Sequence, residues 1–170
     1  QKLGINIVSA GFDPISKLDE IPNNPKLRYE LMTKDMPLGG ELSLDMMYRT
    51  CGTQLNIDYS SEEDFIKKFK IVNSIVPISI ALFANSSIVE KKKSNYLSYR
   101  SKVWQSTSRG GLPKLFFENL NFEKYAEFVI NFPILFIQNK GTYISGKKYT
   151  FKDFMDGKIE EIGNRLPTEN

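Results

Sequence analysis

Hydrophobic positions change their spacing along the chain, and each change marks an element. The opening run, LGINIVSAGF at 3–12, is rich in β-branched residues and closes beside a glycine, which predicts a strand. Three prolines then break the pattern in DPISKLDEIPNNPK, so an ordered loop follows. In PKLRYELMTKDM, Leu27, Leu31 and Met32 fall at helical spacing behind Pro25, and Pro37, Gly39 and Gly40 end that helix. The stretch DMMYRTCGTQLNID at 45–58 alternates instead. On an extended chain Thr50, Gly52, Gln54, Asn56 and Asp58 share one face, and Cys51, Thr53, Leu55 and Ile57 the other. A strand is predicted, with an apolar side that needs a packing partner. The next helix supplies one: Ser60 and Glu63 have capping-box spacing, and Phe65, Ile66, Phe69, Val72 and Val76 recur at three and four. It is expected to be buried, to bend at Pro77 and to end near Asn85.

Further along, EKKKSN at 90–95 reads as a solvated loop, YLSYRSKVWQ as a helix and RGGLP as a break. NFEKYAEFVI reads as a capped helix, FPILFIQNKGTYIS as a hairpin turning at QNKG, and TFKDFMDGK as a helix with Thr150 as N-cap and Gly157 past its end. The final EEIGNRLPTEN has no pattern that closes a fold. Strands and helices interleaved with a hairpin predict an α+β class, an antiparallel or mixed sheet backed by helices, with residues 1–170 forming a single domain piece.

Composition narrows the chemistry. At 41% hydrophobic and 25% charged, the chain fits a soluble globular domain. Its longest apolar stretch, IVNSIVPISIALFA, contains Asn73, Ser74, Pro77 and Ser79 and falls short of the roughly 20 residues that cross a bilayer, so no membrane partner is expected. The start, at Gln1, enters a strand-like run with no signal pattern and reads as a cut end. With no histidine and Cys51 as the single cysteine, a His-based triad, a zinc site and an internal disulfide cannot be assembled. Cys51 is expected to be a small buried filler, a redox switch being the alternative. The net charge of +3 is mild, and no nucleic-acid partner is expected. Lys91 to Lys93 with Tyr96 and Tyr99 form a weaker nucleic-acid reading. The polar row at 50–58 stands out because it aligns hydroxyl, amide and carboxylate oxygens without a positive charge among them.

Six ordered blocks carry a resemblance to a known family. They are Gly11, Phe12 and Pro14; Pro25, Lys26, Arg28, Tyr29 and Met32; the run from Met36 to Phe69 with RTC and SSE; Pro77 to Ser86 with ALFANS; Asn95 to Trp104; and Phe122 to Pro133. Their order and spacing resemble the plant-type glutamate-cysteine ligases through almost the whole chain. The resemblance implies an enzyme that joins the γ-carboxyl of L-glutamate to the amine of L-cysteine, using ATP and Mg2+ through a γ-glutamyl phosphate, the first step of glutathione synthesis. It implies a glutamine synthetase-like bowl with substrates inside, a cytoplasmic setting, and a homodimer as one assembly.

The resemblance also assigns residues. Arg28 and Arg100 correspond to arginines that hold the glutamate, a task suited to the two-pronged guanidinium. Ser101 and Trp104 follow Arg100 on one helical stretch and border the cysteine or glutamate pocket, core packing being the other reading for Trp104, and Met46 is a core residue or a substrate contact. Thr50, Gln54, Asn56 and Asp58 are candidates for ATP or metal, with a hydrogen-bonded strand face as the other reading; no role is divided among them, and no catalytic residue is assigned. Lys102 stands where relatives usually carry His, and QSTS at 105–108 where they carry acidic residues. An acidic segment expected upstream and a DWENH-like segment expected downstream lie outside the chain. The chain therefore reads as a middle slice of a ligase, the alternative being a truncated noncatalytic relative that binds an amino acid or a partner protein.

Overall fold

A computed structural model describes residues 3–107 and 119–166; the RGGLP break and Ser108 lie outside these. The chain divides into two units, Gln1–Leu112 and Pro113–Asn170.

In the first unit, the helix announced by Leu27, Leu31 and Met32 forms as α1 (Leu27–Asp35). Pro37 then sits in a tight 3-10 turn, Met36–Gly39. Helix α2 (Ser43–Arg49) occupies the beginning of the stretch expected to be a strand. Beyond it Cys51 to Tyr59 have no strand neighbour among the described residues, Thr50 alone bridging to Phe12 in antiparallel sense. The opening run fares the same way: only Phe12 pairs, while Ile5, Ile7 and Val8 are exposed. Alternation or β-branched composition suggests a strand, but a strand also needs a neighbouring backbone to take its hydrogen bonds. Neither run meets one over its length in the described residues.

Helix α3 (Glu62–Leu82) begins one residue later than the spacing suggested and runs through Pro77. Ser61 is the N-cap, accepting the Asp64 amide at 3.1 Å, and the Asp64 carboxylate reaches back to the Ser60 amide at 3.0 Å. The expected burial is not found, since no α3 side chain is buried in the described structure and Ile71, Ile75, Val76 and Ile78 are exposed. Leu55, Ile57 and Tyr59 line a groove of about 270 Å³ with Phe65, Phe69 and Val72. Of the face expected to cover α3, Leu55 and Ile57 lie beside the helix but stay exposed, and Cys51 is not at the groove.

The EKKKSN stretch is part of a hairpin, not a loop. Strands β1 (Ile88–Val89) and β2 (Lys92–Lys93) pair antiparallel, with Ile88 opposite Lys93. Glu90 and Lys91 both take positive φ, 51° and 65°, as a two-residue hairpin turn requires. Helix α4 (Tyr99–Gln105) follows. The buried residues of this unit include Phe12, Val103, Ser43, Asp45, Arg49 and Ser86, so polar groups form much of its interior.

In the second unit, Asn121 caps α5 (Phe122–Ile130) by accepting the Lys124 amide at 2.8 Å. Strands β3 (Phe136–Asn139) and β4 (Thr142–Ser145) form the expected hairpin, turning at Lys140 and Gly141 with φ of 47° and 80°. Thr150 and Asp153 close a reciprocal cap on α6 (Phe151–Met155). Ile137, Ile159 and Ile162 form the core, flanked by Ile134, Ile144, Tyr149 and Phe154. Ile162 comes from the segment in which no closing pattern was read; one buried residue on a 3-10 turn leaves no periodicity to detect. Helices with two small antiparallel sheets place the chain in the α+β class. Among the described residues no helix is long and apolar enough to cross a membrane.

Candidate functional site

Gly11 lies between two other segments. Its amide donates to the Asn85 carbonyl at 2.8 Å, and its carbonyl accepts from the Cys51 amide at 3.0 Å. The buried Ser86 completes the junction. Its amide donates to the Leu97 carbonyl, its carbonyl accepts from the Tyr99 amide, and its hydroxyl accepts from the Arg100 amide at 3.1 Å. The first turn of α4 is thereby anchored to the segment after α3, and Arg100 is aimed at the two glycines. A methyl group built on Gly11 would lie 3.5 Å from Arg100 Cδ, and one on Gly52 would lie 2.9 Å from a terminal guanidinium nitrogen. The guanidinium stands over the Trp104 ring, 5.6 Å from its centre.

Arg100 is half-buried, and its Nε is buried with no hydrogen-bond partner. Among the described residues no carboxylate pairs with it. A confined cation with free donor capacity and an aromatic ring beneath it can accept an incoming carboxylate in two-pronged fashion.

The other sequence candidates fall around this cradle unevenly. Ser101 shares a hydrogen bond of 2.8 Å with the Ser98 hydroxyl, and Trp104 is 42% exposed, so it is not the core residue that one reading allowed. Met46 is half-buried on α2, and its carbonyl accepts the Thr50 hydroxyl at 2.6 Å, so Thr50 caps the end of that helix. Gln54 donates its amide to Asn56 Oδ1 at 2.9 Å, which places these two side chains on one side as the alternation requires. Asp58 is exposed, and its backbone carbonyl accepts from Lys68 Nζ at 2.8 Å, so a cation stands beside the row after all. Arg28 is exposed on α1, and among the described residues its side chain makes no hydrogen bond or ion pair. Cys51 is exposed, not the buried filler expected of it.

Arg49 was missed. It is 4% exposed, pairs with Asp45 at 2.9 Å and Glu90 at 3.2 Å, and lies over the Phe12 ring at 4.5 Å. Its carbonyl accepts the Asp13 amide, so the same residue braces the strand-like segment that carries Gly11. The four-residue spacing of Asp45 and Arg49 was a legible helical ion-pair signal. Nearby, burial and the Asp45 charge push the Tyr99 hydroxyl above its ordinary value. Burial acts to raise the Asp13 carboxyl, but amides of Ser16 and Ile15 outweigh it and hold the group below its usual value.

For magnesium, the donor set is thin. Among the described residues no three acidic, histidine or cysteine side chains come together so as to hold a metal ion, and Asp58 contributes the one carboxylate of the polar row. Asn56 oxygen is already engaged by Gln54. The row alone does not fit a resident magnesium ion.

A family model described as glutamate-cysteine ligase family 2 matches residues 1–161. The chain is 43% identical over 173 residues to the chloroplastic glutamate–cysteine ligase of Nicotiana tabacum, covering 100% of this chain and 33% of that protein. It is 42% identical to the chloroplastic enzyme of Medicago truncatula, of which it covers 34%, and 40% identical to that of Arabidopsis thaliana, of which it covers 33%. The chain thus spans about a third of the length of the curated relatives it matches. Their names overturn the expected cytoplasmic setting, since all are chloroplastic proteins.

Proposed function

Because the chain belongs to the glutamate-cysteine ligase family 2, we propose that it is part of an ATP-dependent ligase that joins the glutamate γ-carboxyl to the cysteine amine in a plastid. The observation that carries the reading is the family match over residues 1–161, and the Arg100 cradle supplies its chemistry. A carboxylate is a poor electrophile, so the γ-carboxylate first takes the γ-phosphoryl group of ATP, releasing ADP. The cysteine amine then attacks the acyl carbon and phosphate leaves. Such transfer asks the protein mainly for position and countercharge.

Arg100 receives a glutamate carboxylate, with Trp104 as the floor beneath the guanidinium and Ser101 at the rim; Arg28 is the second arginine of the clamp, and Met46 borders the same pocket. Thr50, Gln54, Asn56 and Asp58 line the nucleotide side, Lys68 adding positive charge near the phosphates. The magnesium that accompanies ATP in such reactions neutralises phosphate charge, and its ligands come mainly from outside the polar row. The two small sheets belong to a glutamine synthetase-like bowl in the complete enzyme, a homodimer being its assembly. The complete protein should release ADP continuously only when glutamate and cysteine are both present. Sustained ADP release beyond one equivalent per site without cysteine, or none with both, would contradict the assignment.

A further inference from the structure

Resting on the glutamate role just proposed for Arg100, we infer that Gly52 is a positioning residue that keeps the Arg100 guanidinium in its binding pose by leaving its side-chain space empty. Glycine is commonly required where the backbone takes a positive φ, but Gly52 is not among the positive-φ positions. Its backbone therefore accepts any residue, and what excludes a side chain is space. A Cβ there would stand 2.9 Å from the guanidinium nitrogen, 3.6 Å from Cζ and 3.7 Å from Nε, with no backbone atom as close. The guanidinium is the far end of a flexible side chain and can yield without disturbing the fold. It yields by leaving the pose between the glycines and Trp104.

Gly11 provides a contrast on the same side chain. A methyl there meets Arg100 Cδ at 3.5 Å, Ser86 Oγ at 3.6 Å and the Asn85 carbonyl at 3.4 Å, which are ordinary contacts. Gly11 touches the stem and Gly52 the charged head, so substitution at Gly52 should act on carboxylate binding much more than substitution at Gly11.

The test uses the complete enzyme and a double-mutant cycle. Gly52→Ala is expected to raise the glutamate KM about tenfold, with kcat, the ATP KM and the unfolding temperature little changed, as for loss of a binding contact made equally in ground and transition states. Gly11→Ala should change the glutamate KM by less than about threefold. Arg100→Lys also raises the glutamate KM about tenfold, and in that background Gly52→Ala should add nothing, because the group it displaces is gone. A Gly52→Ala variant with normal glutamate KM overturns the inference while leaving the role of Arg100 intact. So does a penalty that persists in the Arg100→Lys background, or a fall in unfolding temperature that accounts for the loss. An Arg100→Lys enzyme with unchanged glutamate KM removes the underlying reading itself.

Discussion

At the scale of single residues, the interior of the first unit depends on charge as much as on apolar contact. Arg49 is almost wholly enclosed, and Asp45, its nearer partner, is 8% exposed. Removing one member of such a pair leaves a charge without compensation in a poor solvent for it. Arg49→Met should therefore destabilise the fold by about 3–5 kcal/mol. Adding Asp45→Leu to it should recover part of that loss, as measured by urea unfolding. A double variant that loses the sum of both single penalties would show the two residues acting independently. Arg100 was legible because a motif surrounds it, whereas Gly52 looked like one member of a polar row. Its use is absence of volume at a contact between segments 48 residues apart in sequence, which no local pattern records. Arg49 was hidden for a related reason: its i,i+4 partner was visible, but its burial depends on Phe12 and Glu90 from elsewhere in the chain.

At the scale of elements, helices and turns were legible and strands less so. Caps, helical spacing and tight turns are decided by neighbours within a few residues, which is why α1, α5, the β3–β4 hairpin and the Thr150 cap form where the chain signals them. The extended runs at 3–12 and 50–58 depend on distant backbone, and neither the β-branched residues of the first nor the alternation of the second makes a strand without it. The α3 start shows the precision available: two adjacent serines and three acidic residues offered a cap, and Ser61 with Asp64 takes it. Ser61→Ala should cost about 1 kcal/mol, and Ser60→Ala less, in thermal or denaturant unfolding. In the second unit, Glu161 accepts a bond from Tyr149 at 2.7 Å and pairs with Lys148 at 2.5 Å. Lys148 first and Tyr149 next hold its carboxyl down at about 2, from an ordinary 4.5. A depressed carboxyl contributes stability above its ordinary value and loses it as the group is protonated. The unfolding temperature should therefore fall between pH 4.5 and about 2 through this group, and Glu161→Gln should flatten that part of the curve. An unchanged profile would show that the contacts carry no stability.

At the scale of the whole molecule, α3 presents an extended run of exposed apolar side chains. Its twenty-one residues include Ile71, Ile75, Val76 and Ile78, all exposed, and none of the helix is buried in the described structure. Exposed apolar area of that extent favours association. The 170-residue chain made alone should self-associate and bind a hydrophobic dye, and Ile75→Lys with Ile78→Lys should lower both, as read by light scattering and fluorescence. The relatives are about three times as long as this chain, so ligase activity belongs to the complete protein proposed above. In that protein the Arg100 guanidinium is proposed to receive a glutamate carboxylate. Calorimetric titration of glutamate into the complete enzyme and its Arg100→Lys variant measures that contact without relying on turnover. Binding weaker by about tenfold or more in the variant, some 1.4 kcal/mol, is the expected result; equal affinities would contradict it.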